Sequence, residues 1–367
     1  MGKLMRAIGL MSGTSMDGID VALIETDGEA EVTRGPSRTY AYDRDFRRRL
    51  ADVVASARNL HCRFEARRQF ADAEIELTER HADAIVDFVA QTGITRDGID
   101  LIGFHGQTIL HKPETRLTVQ LGDGPSLAAF VGLPVVYDLR AADVAAGGQG
   151  APLAPVYHRA LMAARPERPA AVLNLGGVAN ITWIGPDERL IAFDTGPGNA
   201  LLDDWMLKRT GKSFDLDGRA ASAGKIDKRV VQFFLDHPFF AALPPKSLDR
   251  NAFYWDMIEG LSVEDGAATL VAMTVAAVVR AVDHLPAPPE LWVVCGGGRH
   301  NEAIMRGLAS SVAGQVIAAE TAGLDGDSLE AEAWAYLAVR SLRGLPISFP
   351  GTTGAPEPMT GGEFAEP

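Results

Sequence analysis

Cysteine is scarce in this sequence. Only Cys62 and Cys295 occur among 367 residues, far apart and outside any CxxC or Cys/His spacing. Such a pair supports neither a disulfide scaffold nor a structural zinc site. The scarcity of cysteine favours a reducing compartment, and we expect the protein to be cytoplasmic.

Long hydrophobic runs and concentrated positive charge are missing as well. The mostly polar segment of residues 12–20 interrupts the apolar N-terminal run before it could serve as the apolar region of a signal sequence, and we find no segment of membrane-spanning length. Lys and Arg number 35 against 48 Asp and Glu, a net charge of -13, and acidic residues interleave the densest arginine stretch, residues 44–68. We therefore expect neither a membrane nor a nucleic acid as partner, because no basic stripe is available for a phosphate backbone.

The sequence instead alternates short apolar strands with amphipathic helices. With 367 residues, 47% of them apolar, the chain is long enough for two cores. The predicted strands are residues 7–11, 19–24, 99–104, 134–137, 170–175, 180–184, 190–193 and 291–295. The predicted helices are residues 70–88, 125–131, 263–285 and 327–342, with others after Gly150 and from Ala200. This alternation is typical of the α/β class, whereas the tail from Gly344 is predicted to be irregular.

Two glycine-tipped hairpins lie about half a chain apart. The first has its tip at residues 12–18 and the second at residues 176–179, each between two apolar strands, although no sequence repeat accompanies them. The arrangement predicts two related lobes with a cleft between them. We expect the lobes to be residues 1–160 and 161–367, with the tail from residue 344 packing back on the first lobe.

The first hairpin tip is a candidate phosphate cradle. Residues 12–18 combine two glycines, three hydroxyl side chains and a run of amide N–H groups, which can enclose phosphate oxygens without a lysine. Asp17 could hold a magnesium ion through water. Spacing alone is equally consistent with an ordinary hairpin turn.

The familiar nucleotide-binding fingerprints fail. Residues 210–213 imitate the end of a P-loop, but Met206 stands where the motif requires glycine. Residues 196–201 and 296–301 both break the GxGxxG pattern at its last position. The sequence therefore supports neither a P-loop enzyme nor a Rossmann dehydrogenase.

Asp194 follows a predicted strand and precedes glycines. Ligands bind at such strand ends in α/β sheets, where a carboxylate can act as a general base. The segment Asp194-Thr195-Gly196 also occurs in aspartic proteases, but those enzymes need two such carboxylates, and this α/β chain has one segment. Asp194 could instead cap the helix that follows it. Asp327 and Glu330, three residues apart, have the spacing of a capping box.

Further polar residues cluster at the ends of predicted strands. They are His105-Gly106-Gln107-Thr108, then Asp138, Arg140 and Asp143. Amides, carboxylates and guanidinium groups of this kind bind sugar hydroxyls. His105, taken singly, is also consistent with a packed, hydrogen-bonded histidine.

Taken together, six segments resemble the anhydro-N-acetylmuramic acid kinase family. They are MSGTSMDG (11–18), HGQT (105–108), DVAAGGQGAPLAP (143–155), NLGGVANIT (174–182), FDTGPGN (193–199) and CGGGRHN (295–301). The segments span nearly the whole chain in the order of the family. No single motif suffices, but the set is highly specific.

The resemblance implies the two-lobed actin-like fold shared by actin, hexokinase and Hsp70, with ATP and Mg²⁺ in the interdomain cleft. It implies that Asp194 is the catalytic residue. The implied ATP-binding residues are Gly13, Thr14, Ser15, Met16, Asp17, Gly18, Ile19, Asp20, Gly176, Gly177, Asn180, Gly296, Gly297 and Gly298. The predicted sugar-binding residues are His105, Gly106, Gln107, Thr108, Arg140, Asp143 and Glu330.

The reaction implied by the resemblance converts 1,6-anhydro-N-acetylmuramic acid, water and ATP into N-acetylmuramic acid 6-phosphate and ADP, in the recycling of peptidoglycan. Asp194 would be the general base on the water. The family also suggests a homodimer. Two alternatives remain open, an actin-like ATPase without sugar activity and a kinase that acts on an open sugar.

Overall fold

The computed structural model describes residues 2–13, 15–248, 252–254 and 256–367. The chain forms two compact units, the first comprising Met1–Ala163 with Ser328–Pro367 and the second Ala164–Asp327. The predicted division at residue 160 differs from this at the C-terminal end, because Ser328–Pro367 belongs to the first unit. The physical reason is that the helix Leu329–Leu342 packs on the sheet of the first unit.

The bounds of the elements are as follows. The strands are β1 (Met5–Ser12), β2 (Gly18–Thr26), β3 (Val32–Ala41), β4 (Leu101–Lys112), β5 (Leu117–Leu121), β6 (Val135–Tyr137), β7 (Ala170–Leu175), β8 (Val178–Ile184), β9 (Leu190–Pro197), β10 (Leu291–Cys295), β11 (Gln315–Ala318) and β12 (Glu363–Ala365). The helices are α1 (Arg44–Ala57), α2 (Arg63–Gln69), α3 (Ala71–Thr92), α4 (Gly124–Val131), α5 (Ala141–Ala146), α6 (Pro155–Met162), α7 (Ala200–Thr210), α8 (Arg219–Ala223), α9 (Lys228–Leu235), α10 (Val263–Ala281), α11 (Glu302–Ser311), α12 (Leu329–Leu342) and α13 (Pro350–Thr353).

The two units contain sheets of the same topology. In the first unit the order is β12-β6-β4-β1-β2-β3, with β5 paired to β4, and in the second it is β11-β10-β7-β8-β9. The pairs β1–β2, β2–β3, β7–β8 and β8–β9 are antiparallel, whereas β1–β4, β4–β6, β7–β10 and β10–β11 are parallel. The order β3-β2-β1-β4-β6 thus recurs as β9-β8-β7-β10-β11. This recurrence confirms the predicted α/β class with two related halves.

Several elements escaped prediction. Strand β3 is largely exposed and carries little apolar alternation, so its sequence gives no strand signal. The tail from Gly344 is predicted to be irregular, but it contains α13 and β12. Strand β12 pairs antiparallel with β6, and Tyr137 donates its hydroxyl to Glu363 at 2.7 Å. Strand β12 has three residues, which is too short to show the alternation of apolar and polar residues typical of a strand.

Helix α12 lies directly on one face of the first sheet. A β-carbon on Gly9 would come within 1.8 Å of Ala331 O, and one on Gly103 within 2.2 Å of Trp334 O. These positions must therefore be glycine for the helix backbone to contact β1 and β4. The other face carries Ile8, Leu10 and Phe104 in the main core of this unit, together with residues of α3 and α4.

Helix α10 is the central helix of the second unit. With the turn that follows it, Val263–His284, it is long and apolar enough to cross a membrane by length and composition, so the expectation that no segment reaches that length is wrong here. However, 67% of its most apolar window is buried inside the structure, as in the core helix of a soluble protein.

The segment that imitates a P-loop ends a helix instead of starting one. Gly211 follows the last residue of α7 in the left-handed region, with φ of 74°. A P-loop precedes its helix and presents N–H groups to phosphate. Residues 210–213 therefore do not have the geometry of a P-loop.

Replacing Gly9 with alanine tests the contact between α12 and the first sheet. We expect Gly9→Ala to lower the free energy of unfolding by about 1–3 kcal/mol, because the new methyl group displaces the helix backbone. The matched control is Gly260→Ala, where a β-carbon meets no atom within 4 Å. Urea denaturation measures both, and equal stability of the two variants would contradict the packing described.

Candidate active site

The tip of the β1–β2 hairpin is a compact turn. Met16 N–H donates to Gly13 O at 3.0 Å, and Tyr42 N–H donates to Asp17 O at 2.9 Å. Met16 adopts the left-handed region, with φ of 55°. Ser15 is exposed at the tip, and Thr14 lies outside the described residues. The turn offers polar backbone to solvent, as a phosphate cradle requires.

The remaining residues predicted for ATP on this hairpin belong to β2. Gly18 packs against β3, because a β-carbon there would come within 2.3 Å of Tyr40 O. Ile19 is buried in the core and has no polar side chain to offer. Asp20 accepts a hydrogen bond from Thr39 at 2.6 Å.

Gln107 is fully buried behind the turn. Its Oε1 accepts from Ser12 Oγ at 2.7 Å, and its Nε2 donates to Gly13 O at 3.1 Å. Ser12 Oγ also bonds the Tyr42 hydroxyl at 2.9 Å. The predicted sugar contact through Gln107 has no geometric support, because both ends of its amide hold the turn.

A bulge in β4 produces this placement. The register pairs Leu10 of β1 with Phe104 but Ser12 with Gln107, so His105 and Gly106 together oppose Met11. Gly106 has φ of 69°, and a β-carbon on it would come within 2.1 Å of Leu121 O. Only glycine fits this position. The predicted strand ended at Phe104, whereas the HGQT segment lies within β4.

His105, Arg140 and Trp334 form a stacked cluster in the first unit. The Arg140 guanidinium lies 4.8 Å from the Trp334 ring, whose centroid is 4.4 Å from that of His105. Arg140 donates from Nε to His105 Nε2 at 3.1 Å and from Nη1 to Gly150 O at 2.7 Å. Burial, assisted by Arg140, holds the pKa of His105 well below its usual range, so this histidine is neutral at pH 7. Burial also lowers the pKa of Arg140 to about 10.

Glu330 extends this cluster from α12. It lies one helical turn before Trp334 and is open to solvent. Desolvation by the surrounding protein raises the pKa of Glu330, whereas the charge of Arg140 opposes this shift. The alternative of a capping box is wrong, because Ser328 is the N-cap and Asp327 accepts from Arg299 at 2.8 Å.

Asp143 and Thr108 hold neighbouring segments. Both oxygens of buried Asp143 are occupied, Oδ2 by Gly150 N–H at 2.6 Å and Oδ1 by the Thr353 hydroxyl at 2.7 Å. Thr108 Oγ1 accepts from Gln120 at 3.2 Å. Asp143 therefore anchors the Gly-rich link that Arg140 also contacts. Thr353 was missed because it lies in the tail predicted to be irregular.

Asp138 retains one unsatisfied oxygen. Its backbone is left-handed, with φ of 55°, and Arg63 pairs with its Oδ2. Its Oδ1 is buried without a hydrogen-bond partner among the described residues. A buried acceptor of this kind requires a donor from water or a ligand.

In the second unit, a row of polar residues crosses the sheet. The register aligns Cys295 of β10 with Asn174 of β7, Asn174 with Asn180 of β8, and Asn180 with Asp194 of β9. Residues paired in this way point to the same face of a sheet. The structure thus brings Asn180 and Asp194 together, and it adds Asn174, which the predicted site omitted.

Two glycine turns lie beside this row. The carbonyl oxygens of Gly176 and Gly177 accept from Asn199 N–H and Gly198 N–H, each at 2.9 Å. A β-carbon on Gly296, whose φ is 75°, would come within 2.3 Å of Asn174 Oδ1. A β-carbon on Gly298 would come within 2.7 Å of Leu175 Cβ, whereas Gly177 and Gly297 are exposed. The exposed glycines leave backbone accessible to a ligand.

Asp194 lies inside β9, not after the strand as predicted. It caps no helix, because Asn199 is the N-cap of α7. Leu248 N–H donates to Asp194 Oδ2 at 2.7 Å, and Asp194 N–H donates to Lys246 O at 3.0 Å. Oδ1 accepts no hydrogen bond from any residue that the structure describes. The loop that holds the carboxylate carries no motif, so the sequence could not indicate it.

Burial raises the pKa of Asp194 to about 6, and the Leu248 N–H opposes this shift by stabilising the carboxylate. The group is therefore mostly ionised at pH 7 but more basic than an ordinary aspartate. This combination suits a general base.

Metal ligands are sparse. Among the described residues, no group of three or more His, Cys, Asp or Glu side chains is arranged to bind a metal ion. Asp17, the predicted magnesium ligand, is exposed and pairs with Arg47 at 2.8 Å. A cation at this turn would have to take most of its ligands from a bound substrate and water.

Comparison with known proteins identifies the family. A model of the family described as anhydro-N-acetylmuramic acid kinase matches residues 5–366. The chain belongs to this family. The anhydro-N-acetylmuramic acid kinase of Rhodospirillum rubrum is 53% identical over 359 residues, covering 98% of this chain and 93% of the relative. That of Paramagnetospirillum magneticum is 51% identical over 366 residues, covering 99% and 100%.

Solved structures give weaker similarity. The activator of the 2-hydroxyisocaproyl-CoA dehydratase from Clostridium difficile with bound ADPNP has a TM-score of 0.46 and 13% identity, covering 92% of this chain and 96% of that one. A ROK family glucokinase from Streptomyces griseus in complex with glucose and AMPPNP has a TM-score of 0.40 and 14% identity, covering 91% and 99%. Both TM-scores are too low for these structures to indicate a ligand of this chain.

The raised pKa of Asp194 predicts a gain in stability when its charge is removed. Because the folded pKa of about 6 exceeds the value of 3.8 for an unperturbed aspartate, stability falls as pH rises from 3.8 to 6 and stays reduced above 6. We expect Asp194→Asn to raise the free energy of unfolding at pH 8 by up to about 3 kcal/mol, at roughly 1.4 kcal/mol per pKa unit.

The gain should shrink when denaturation is repeated at pH 5. The matched control is Asp283→Asn, which removes an exposed carboxylate paired with Arg280 in the same unit. We expect this control to change stability by less than about 1 kcal/mol. A loss of stability in Asp194→Asn at pH 8 would contradict the desolvated state of the carboxyl group.

Proposed function

We propose that this family member phosphorylates 1,6-anhydro-N-acetylmuramic acid with ATP while water opens the anhydro bridge, in the recycling of peptidoglycan. Family membership over residues 5–366 supports the sugar and the kinase activity. The carboxyl group of Asp194, with its pKa raised to about 6 and one oxygen without a protein partner among the described residues, supports the hydrolytic step.

In the proposed reaction Asp194 takes a proton from water as the water oxygen attacks the anomeric carbon. The bond from that carbon to O6 breaks, and O6 takes the γ-phosphoryl group, so that ADP leaves. The attack occurs on the face opposite the bridge oxygen, as in an inverting glycosidase. Leu248 N–H holds Oδ2, which leaves Oδ1 to accept the proton. The transferred phosphoryl group replaces the protonated acid that a glycosidase would use.

The glycine turns would bind the phosphates of ATP. In the first unit, the hairpin turn can donate backbone N–H groups to phosphate oxygens. In the second unit, the exposed backbone at Gly177 and Gly297 offers N–H groups of the same kind. Mg²⁺, when bound, neutralises part of that charge. Asp17 fits a magnesium ion that takes most of its ligands from phosphate and water, provided that the carboxylate exchanges Arg47 for the ion.

The stacked cluster of the first unit would bind the sugar acid. Arg140 supplies a positive charge for its carboxylate, and Glu330 supplies an acceptor for its hydroxyls. His105 is neutral and fixed, so we assign it a positioning role and not proton transfer. Asp143 acts indirectly, because it anchors Gly150, to which Arg140 donates.

Turnover of the Asp194→Asn variant tests the assignment of the base. The purified protein with ATP, Mg²⁺ and the anhydro sugar should form a 6-phosphosugar, and Asp194→Asn should lower kcat by roughly 100- to 10,000-fold. Binding of ATP should not change. In the unaltered protein, kcat/KM should fall on the acidic side with an apparent pKa of about 6.

Two outcomes would contradict the proposal. A fully active Asp194→Asn variant would contradict the assignment of Asp194 as general base. Consumption of ATP at an equal rate without sugar would favour an actin-like ATPase. Asp283→Asn serves again as control and should retain full activity. The homodimer and the cytoplasmic location stay predictions.

A further inference from the structure

We propose that Gln107 is a positioning residue for ATP, and that together with Ser12 and Tyr42 it fixes the first hairpin turn in its phosphate-binding conformation. This inference rests on the proposed binding of ATP by that turn. It gives the HGQT segment a role different from the sugar contact predicted for it.

The hydrogen bonds of the network can run in one direction only. Gly13 O is an acceptor, so the NH₂ group of Gln107 must face it and Oε1 must face Ser12. The Ser12 hydroxyl therefore donates its hydrogen bond to Gln107 Oε1. It must then accept a hydrogen bond from the Tyr42 hydroxyl. The chain runs from Tyr42 through Ser12 and Gln107 to Gly13, and each member is satisfied by the next.

The last hydrogen bond of this chain fixes the direction of the Gly13 carbonyl group. A carbonyl oxygen that faced a phosphate would repel it. Gln107 Nε2 and Met16 N–H, at 3.1 and 3.0 Å, both hold Gly13 O and keep it from rotating toward a bound anion. The turn is also tied at its far side, because Tyr42 N–H donates to Asp17 O. Tyr42 thus holds both ends of the turn.

The bulge in β4 is what brings Gln107 to Ser12. In a regular ladder the residue opposite Ser12 would be Gly106, and the Gln107 side chain would point to the other face of the sheet. The additional residue restores the side chain to the turn, and Gly106 permits it through its positive φ. Ser12 and Gln107 are both 0% exposed, so neither side chain contacts the ligand itself.

Direct measurement of nucleotide binding tests the proposal. The affinity of the full-length protein for a non-hydrolysable ATP analogue with Mg²⁺ is measured by calorimetry, alongside the KM values for ATP and for the anhydro sugar. We expect Gln107→Met, an apolar replacement of similar length, to weaken analogue binding and raise the KM for ATP about tenfold. The KM for the sugar should change by less than about twofold, because the stacked cluster of the first unit remains in place.

A second variant guards against a folding defect in Gln107→Met. Ser12→Ala removes the central hydroxyl with little loss of volume, and we expect a similar loss of analogue affinity. The double variant should lose less affinity for the analogue than the product of the two single losses, because both substitutions break the same chain of hydrogen bonds. The matched control is Tyr336→Phe, which removes a buried hydroxyl that donates to Glu29 O at 2.6 Å away from the turn. It should bind the analogue normally.

The outcomes separate this inference from the proposed function. If the unaltered protein does not bind the analogue, the proposed function fails. If it binds while Gln107→Met and Ser12→Ala bind equally well, the positioning role is overturned and the proposed function stands. Equal increases in both KM values, or a loss of thermal stability with unchanged affinity, would also overturn it.

Discussion

The contact of α12 with β1 and β4 is the constraint on which the first unit depends. Gly9 and Gly103 leave room for the helix backbone to lie on the sheet, where a β-carbon would come within 1.8 or 2.2 Å of a carbonyl oxygen. The helix returns the chain to the first unit and carries Glu330 and Trp334. Trp334 in turn stacks on His105 and Arg140, so the cluster that we assign to the sugar exists only if this contact forms.

The second unit has the same strand order, and we assign a different chemical role to it. Its sheet carries a polar row that ends at Asp194. Burial makes this carboxyl group more basic, so its ionised form lowers the stability of the fold. A carboxylate that lowers stability yet suits proton transfer is typical of a catalytic position. The first unit instead presents a hydrogen-bonded turn that is fully satisfied by Ser12 and Gln107. We therefore assign the proposed activity to two features, the buried carboxyl group of Asp194 and the hydrogen-bonded turn of the first hairpin.

Much of this architecture could be predicted from the sequence, because the two hairpins and the central strands have clear apolar patterns and glycine tips. The sequence could not show that HGQT lies within a bulged strand, since the bulge depends on the register of β4 against β1. It also could not distinguish ligands from supporting residues: Gln107 and Asp143 are polar and adjacent to the site, yet their hydrogen bonds are internal. Asn174 and Thr353 were missed because strand register places the first, and the second lies in a tail without periodicity.

In the proposed reaction, water attacks the sugar while its O6 is phosphorylated. The most direct measurement runs the reaction in ¹⁸O-labelled water, reduces the product at once to prevent exchange at the anomeric carbon, and locates the label by mass spectrometry. If water attacks the anomeric carbon, one ¹⁸O is expected on that carbon of the 6-phosphosugar and none in the phosphate group. An unlabelled sugar, as expected for a kinase of an open sugar, or label in free phosphate from uncoupled hydrolysis of ATP, would contradict it.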